Sequence, residues 1–191
     1  MSRLPYLPVS EVMYAAYFSY YVMIFGVGLA LFIRQRQQFF HYLSVISFVF
    51  YVCYLIYTFA PVIGPRVFDR RIASYALPAE VQPDVIPEIP AALQAGPFFR
   101  IMAVLYDVFE APGAAFPSSH VAVALATLYF TFRYLPRIRV IHTIVVVLLC
   151  VATIYCRYHY AVDVIAGIAT AVVLVPLGNW LYFRFGRPLE A

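Results

Sequence analysis

The sequence predicts an all-α protein, a polytopic bundle of transmembrane helices, and three observations carry that prediction. Hydrophobic residues make up 64% of the 191 residues, mean hydropathy is +0.85, and only 12% of the residues are charged. A soluble domain carries about 25% charged residues. The apolar residues also fall into five runs with arginines at their ends. We therefore expect one integral membrane domain over residues 1–191.

The five apolar runs are the predicted membrane spans. A helix needs roughly 17 to 25 mostly apolar residues to cross a bilayer. The first run stops at Arg34 and Arg36, the second at Pro61, and the fifth at Arg184 and Arg187. In chain order, the runs are residues 12–33, 41–60, 120–135, 140–156 and 161–183.

The arginines also predict the orientation of the bundle. Alternation of five spans brings the following to one side: Arg34, Arg36, Arg133, Arg137, Arg139, Arg184 and Arg187. By the positive-inside rule that side is cytoplasmic. We expect a multi-pass protein of a bacterial inner or cell membrane, with His120 and residues 157–163 on the extracytoplasmic side. An odd number of spans leaves the N-terminus outside, which a first helix absent from this sequence would explain.

The segment 61–117 should form a long extracytoplasmic loop, because it holds most of the prolines. Within it, residues 97–110 are predicted to form an amphipathic helix. Its apolar face would be Phe98, Ile101, Met102, Leu105 and Phe109. This helix is too short to span, so it should lie at the interface or cap a site. Residues 74–96 are expected to shape the pocket.

Composition and spacing argue against several classes of protein. The net charge of +4 comes from arginines at the ends of apolar runs, which does not indicate a nucleic-acid partner. Three cysteines without a CxxC pair indicate neither a zinc site nor a disulfide framework. Two other histidines, His41 and His142, are interpreted as interfacial anchors. The tyrosines at 51, 54 and 57 favour packing or an aromatic belt over a substrate wall.

Two polar runs at the mouths of the spans carry the chemistry, because ionisable residues near lipid are costly and usually functional. One is residues 116–120, which ends in His120, and the other is residues 157–163. His159 and Asp163 are four residues apart, which puts them on one helical face if the fifth span begins nearby. A carboxylate bonded to one ring nitrogen fixes the tautomer and frees the other nitrogen to attack.

The remaining polar residues suit a phosphoryl group. His120 follows Ser118 and Ser119 at a helix start, where free N–H groups favour an anion, and its imidazole could protonate a leaving oxygen. Arg66 and Arg157 would hold the phosphoryl oxygens. We expect neither a metal nor another cofactor, because two histidines and one carboxylate fall short of a metal ligand set.

At these residues the sequence resembles the type 2 phosphatidic acid phosphatase (PAP2) superfamily, and within it the inositolphosphotransferase branch that includes the inositol phosphorylceramide synthases. Residues 117–120, PSSH, resemble the PSGH motif of that family. His159 and Asp163 match the end of its third motif, and residues 64–66, GPR, stand where its first motif belongs. The likeness covers roughly residues 10–183.

The resemblance implies a role for each residue. His159 would be the nucleophile that forms a phosphohistidine, Asp163 would orient it, and His120 would protonate the leaving group. The phosphate-binding residues would be Arg66, Arg157, Ser118 and Ser119.

Three departures from the family pattern matter. Thr153 occupies the position of the third motif's arginine, and Arg157 stands four residues later. One helical turn would return Arg157 to the same face. The chain has no lysine for the first motif, so Arg66 would act alone or with hydroxyls such as that of Tyr57. The family core has six spans, against five here.

Four functions were weighed. The leading one is an integral membrane lipid phosphatase that hydrolyses a phosphomonoester of a phospholipid on the extracytoplasmic side. The alternative is a lipid head-group phosphotransferase with the same His-His-Asp set, in which a lipid or sugar hydroxyl replaces water. A haem-binding protein would leave Asp163 and Arg157 without a role. A purely structural protein would bury polar groups without a task, which is costly.

Overall fold

The computed structural model describes residues 6–66, 89, 91–109 and 113–186. Its helices are α1 (Leu7–Arg34), α2 (Arg36–Phe59), α3 (Ala91–Gln94), α4 (Pro97–Phe109), α5 (Ser119–Tyr134), α6 (Arg139–Tyr155) and α7 (Ala161–Phe185). No strand occurs in these parts of the chain, although Val62 and Ala114 form an isolated bridge. The predicted all-α class is confirmed. Most of the segment 74–96, which was expected to shape the pocket, lies outside the described residues, as does Arg187.

Five long helices occupy the five predicted runs, but they differ in length. α1, α2 and α7, with 28, 24 and 25 residues, are long and apolar enough to cross a membrane. α5 and α6 have 16 and 17 residues. α5 is short because Pro136 follows its end, and the residue before a proline disfavours helix. Three described helices are therefore clearly long enough to span, α5 and α6 lie close to the lower limit, and the count of five stays a prediction.

The outside of the bundle is apolar on each long helix. Phe25, Leu55, Phe132, Val147 and Val172 are all exposed. A helix that is hydrophobic on its outer as well as its inner face is typical of a membrane span. The exterior therefore fits a lipid environment.

Helix α5 is at the centre of the bundle and contacts α1, α2, α6 and α7. Three of its alanines, Ala122, Ala124 and Ala126, are fully buried, and small residues let membrane helices approach closely. A Cβ added to Gly167 of α7 would lie 2.6 Å from the carbonyl oxygen of Ser118. Glycine at this position therefore lets the first turns of α7 pack against the start of α5.

The chain reverses direction between successive long helices, so the helix ends gather at two opposite ends of the bundle. At one end, His41 of α2 stacks on Tyr182 of α7, with ring centroids 4.4 Å apart. At the other end, the hydroxyl of Tyr57 donates to the carbonyl oxygen of Pro117, just before α5, at 2.7 Å. The arginines that predicted the orientation, where the structure describes them, flank helix ends at the end of the bundle that holds His41: Arg34, Arg36, Arg133, Arg137, Arg139 and Arg184. The polar runs lie at the opposite end.

Neither His41 nor His142 is an interfacial anchor, so that interpretation is wrong. Their side chains are 1% and 6% exposed. The ring nitrogens of His142 lie 3.3 and 2.7 Å from the hydroxyls of Thr127 and Thr131 on α5. His142 can be buried because it finds partners on a neighbouring helix, whereas His41 is buried against the rings of Phe130 and Tyr182. A one-dimensional pattern reveals neither arrangement.

The predicted amphipathic helix is present as α4, but its apolar face differs from the prediction. Phe99 and Met102 are buried, whereas Ile101 is 42% exposed; the side chain of Phe109 lies outside the described part. Phe99 packs edge-on against Tyr14 of α1, and Glu11 of α1 accepts hydrogen bonds from the N–H groups of residues 98 and 99 at 2.8 and 3.1 Å. In a membrane protein apolar side chains can face protein or lipid, so hydrophobicity alone mislocates the buried face.

Candidate active site

A cavity of about 310 Å³ lies at the end of the bundle that carries the polar runs. Arg66, Ser119, His120 and His159 line its polar side. Tyrosines and apolar residues of α1, α2 and α4 complete it, including Tyr20, Tyr21, Phe50, Tyr54, Tyr57, Leu105 and Tyr106. The structure thus brings three chain segments, around residues 66, 120 and 159, into one pocket. Tyr54 and Tyr57 also line the cavity. Tyr57 is at the same time buried in the core and Tyr51 is exposed on the outside, in line with the packing or belt interpretation.

The two histidines meet directly in this cavity. Nε2 of His159 lies 3.3 Å from Nδ1 of His120, and Nδ1 of His159 lies 2.9 Å from the carbonyl oxygen of Ala115. A carbonyl only accepts, so Nδ1 of His159 carries the proton and Nε2 has the free lone pair of the neutral ring. The bridge to Val62 fixes Ala115, because the Ala115 N–H donates to the Val62 carbonyl at 3.0 Å. Nε2 is therefore the nitrogen of His159 that has a lone pair to offer a substrate.

Asp163 lies beside His159, but the two residues are not brought together by one helix, as was predicted. Its Oδ2 is 3.7 Å from Nδ1 of His159, beyond hydrogen-bond distance, and accepts the N–H of Tyr160 at 2.7 Å. α7 begins at Ala161, so His159 precedes the helix and does not share a helical face with Asp163. The carboxylate is 1% exposed, and its Oδ1 has no hydrogen-bond partner among the described residues. Ala115 therefore makes the hydrogen bond to Nδ1, and Asp163 lies close enough to stabilise a positive charge on the ring when one develops.

The serines hold the start of α5 in place. The side chain of Ser118 caps the helix by accepting the Val121 N–H at 3.4 Å, and its own N–H donates to the Asp163 carbonyl at 3.0 Å. Ser119 lines the cavity, but its N–H donates to the Tyr57 hydroxyl at 3.0 Å. The phosphate-binding roles predicted for both serines stay predictions, and the contacts that the structure shows hold the first turn of α5, which carries His120.

Tyr57 fastens this turn from α2, which predicts a measurable cost when its hydroxyl is removed. The hydroxyl donates to Pro117 and accepts from Ser119, and the side chain is 9% exposed. Tyr57→Phe leaves two buried backbone groups unpaired, which should lower the free energy of unfolding by about 2 kcal/mol. Thermal unfolding in detergent measures this, with Tyr51→Phe on the exposed side of α2 as the neutral control. An unchanged unfolding temperature for Tyr57→Phe would contradict the assignment.

Arg66 supplies the positive charge of the cavity. Its Nη1 donates to the Tyr158 hydroxyl at 2.9 Å, and its guanidinium lies 5.0 and 5.1 Å from the ring centroids of Tyr158 and Tyr106. Burial raises the pKa of Tyr158, so this phenol is neutral and can accept the bond. Arg66 N–H also donates to the carbonyl of Arg157 at 3.0 Å. The guanidinium is thus held against aromatic faces beside the histidine pair.

Arg157 does not lie on the helical face of Thr153, where its spacing predicted it. α6 ends at Tyr155, and Arg157 has a positive φ of 60° in the turn that follows. The Thr153 carbonyl accepts the N–H groups of Tyr158 and His159, at 3.0 and 3.1 Å, which closes this turn. The side chain of Arg157 is half-buried and is not part of the cavity lining. Its phosphate-binding role stays a prediction, but the argument that a helical turn returns it to the face of Thr153 is wrong.

Two contributors to the site escape sequence reasoning. Tyr17 of α1 is fully buried, and its hydroxyl lies 3.0 Å from Nε2 of His120. Ala115 contributes only a carbonyl oxygen, which no side-chain pattern can reveal. Tyr17 is one of several tyrosines in an apolar run, and nothing in its spacing marks it. Over the described residues, no group of three or more His, Cys, Asp or Glu side chains could hold a metal ion.

Comparison with known proteins gives two matches. The sequence profile of the PAP2 superfamily matches residues 5–177. A PA-phosphatase related-family protein of Dictyostelium discoideum is 33% identical over 66 residues, which are 35% of this chain and 12% of that protein. The chain therefore spans only a small part of the length of that relative. No solved structure matches. Neither match distinguishes the inositolphosphotransferase branch.

Proposed function

Since the chain belongs to the PAP2 superfamily, we propose that it is an integral membrane phosphatase that hydrolyses a phosphomonoester of a phospholipid through a phosphohistidine. The observation that carries the proposal is the histidine pair. Nε2 of His159 has its lone pair free, Nδ1 of His120 lies 3.3 Å away, and Arg66 lines the same cavity. Nucleophile, proton donor and anion-binding cation are the parts that phosphoryl transfer by histidine requires.

The reaction proceeds in two displacements. The phosphoryl group enters between the rings and replaces their direct contact. Nε2 of His159 forms a bond to phosphorus while the bond from phosphorus to the lipid oxygen breaks, and His120 gives that oxygen its proton. Neutral His120 then takes a proton from water as the water oxygen attacks phosphorus. Phosphate leaves, and His159 returns to its neutral form. Each ring therefore ends the cycle as it began.

Three groups stabilise this cycle. Arg66 offsets the charge on the phosphoryl oxygens. Asp163, 3.7 Å from Nδ1 of His159, stabilises the positive charge that this ring gains on phosphorylation. The Ala115 carbonyl keeps the proton on Nδ1, so Nε2 remains the nucleophile. Hydroxyl-rich aromatic walls from α1 and α2 suit the boundary between a polar head group and its chains.

The proposed site faces the extracytoplasmic side, because the arginine-rich helix ends lie at the other end of the bundle. A panel of phospholipids with terminal phosphate tests substrate and reaction together, with free phosphate and new lipid products measured in parallel. Free phosphate in equal amount to dephosphorylated lipid is expected. Head-group exchange without free phosphate would contradict hydrolysis and would identify the reaction as phosphotransfer to a hydroxyl. Activity on substrate confined to the arginine-rich side of oriented vesicles would overturn the sidedness.

The histidine pair also predicts the pH dependence. His159 must be neutral to attack, and His120 must be protonated to release the leaving group. Because one imidazole must be neutral while the other is protonated, activity should fall at both low and high pH, giving a bell-shaped kcat/KM. The two limbs belong to the coupled pair. Initial rates from pH 4 to 9 on one lipid measure this, and a flat profile across the histidine range would argue against two acting imidazoles.

A further inference from the structure

We propose that Tyr17 is a positioning residue for His120: its hydroxyl holds Nε2 of that ring in both protonation states, so that Nδ1 always faces the phosphoryl group. This inference rests on the proposed function. Tyr17 belongs to none of the family motifs, and it reaches the site from α1, a helix that carries no other proposed catalytic group.

The geometry leaves the Tyr17 hydroxyl little freedom. It lies 3.0 Å from Nε2 of His120, and the side chain is fully buried. The phenol ring packs against the His120 ring at 5.0 Å and against the Tyr158 ring at 4.3 Å, centroid to centroid. Tyr106 of α4 also interacts with the phenol. A phenol confined in this way can fix the orientation of the imidazole that it contacts.

The donor and acceptor roles of the ring nitrogens explain why a phenol suits the position beside Nε2 of His120. In the neutral pair, Nε2 of His159 is an acceptor, so Nδ1 of His120 donates to it and Nε2 of His120 must accept from Tyr17. When His120 becomes the imidazolium that acts as general acid, both of its nitrogens donate, and Nε2 then donates to the Tyr17 oxygen. A hydroxyl can both donate and accept. Rotation of one O–H bond therefore serves both states, which phenylalanine cannot do.

The cavity lining offers the imidazolium no carboxylate, and Asp163 lies behind His159, with Oδ2 3.7 Å from Nδ1 of that ring. Tyr20 of α1 packs on the His120 ring at 4.6 Å, and His159 approaches from the turn after α6. Arg66 lies before α4 and Tyr57 on α2, and both line the same cavity, as do Tyr54 of α2 and Tyr106 of α4. No acidic side chain of the described residues lines it. The positive charge of Arg66 in the same cavity disfavours protonation of His120. The oxygen of Tyr17 is the acceptor that stabilises the protonated ring.

The test is Tyr17→Phe in the full chain, assayed for phosphate release against pH. Loss of a hydrogen bond to a charged group should lower kcat by roughly 10- to 100-fold with little change in KM. Without its acceptor the imidazolium is less stable, so the pair holds its proton less well. A limb of kcat/KM should therefore move to lower pH, which a purely structural role would not produce.

Tyr42→Phe is the matched control. It removes a buried phenol hydroxyl that donates to the Ile24 carbonyl at 2.8 Å, far from the cavity. Its kcat and its pH limbs should be those of the wild type. The inference is overturned if Tyr17→Phe behaves like Tyr42→Phe. If the wild type itself releases no phosphate from any lipid, the proposed function fails instead.

The position of the limb is read on whatever fraction of Tyr17→Phe folds, so a low yield does not obscure it. Should this variant not accumulate, the wild type decides the matter through ¹⁵N spectra of labelled histidines. Nε2 of His120 should have the shift of a hydrogen-bonded nitrogen on both sides of its titration. The shift of a free nitrogen in either state would overturn the role of Tyr17.

Discussion

Replacing His159 with asparagine should lower phosphate release by roughly 10⁴-fold or more, the scale on which enzymes lose activity without their nucleophile. The asparagine amide can keep a donor near the place of Nδ1, 2.9 Å from the Ala115 carbonyl, so the turn retains its hydrogen bond. It offers no nitrogen lone pair where Nε2 stands. Loss of activity with an intact fold would therefore be a loss of chemistry.

Two measurements make this prediction sharp. Brief reaction with a ³²P-labelled lipid should leave an acid-labile label on the wild type and none on His159→Asn. His41→Asn is the control, because it removes another buried imidazole at the opposite end of the bundle, where His41 stacks on Tyr182. It should keep its turnover per folded molecule. A labelled His159→Asn, or one with ordinary turnover, would exclude His159 as the nucleophile.

The second large effect should come from Arg66 rather than Arg157. Arg66 lines the cavity, and its guanidinium lies over Tyr158 and Tyr106, whereas the Arg157 side chain is not part of the lining. Arg66→Gln should lower kcat/KM by roughly 10²- to 10³-fold, the cost of one group that stabilises transition-state charge. Arg157→Gln keeps the carbonyl that accepts from Arg66 and should lose less than about tenfold by the same measure.

Arg66→Lys separates charge from shape. It keeps the positive charge but loses the planar group that stacks on the rings and bonds the Tyr158 hydroxyl, so its activity should fall between wild type and Arg66→Gln. Steady-state kinetics on one lipid, normalised to folded protein by size-exclusion chromatography, ranks the variants. A larger loss for Arg157→Gln than for Arg66→Gln would return the main phosphate-binding role to Arg157.

Much of the fold was predictable because membranes impose simple rules on sequence. Apolar runs and terminal arginines predicted the helices, and α1, α2 and α7 meet the length of a span. Packing partners were less accessible. Ile101 was assigned to the buried face of α4 and is exposed, while Phe99 is buried against Tyr14. Apolar side chains are favourable both against lipid and in the protein interior, so hydrophobicity does not show which of the two a residue faces.

For the candidate site, sequence motifs predicted side chains that the structure brings together, but not how they are held. Arg66, His120 and His159 share one cavity, and Asp163 lies directly behind His159. The motifs could do this because reactive groups are scarce in an apolar chain, so each one stands out.

The supporting contacts were decided by tertiary structure alone. The Ala115 carbonyl that fixes the tautomer of His159 lies 44 residues away in sequence, and the Tyr17 hydroxyl at His120 lies 103 residues away. The end of α6 at Tyr155 removed Arg157 from the helical face that its spacing suggested. Backbone carbonyls carry no residue identity, and a tyrosine among many has no distinguishing neighbours. Their roles arise only when packing brings distant segments within hydrogen-bond distance.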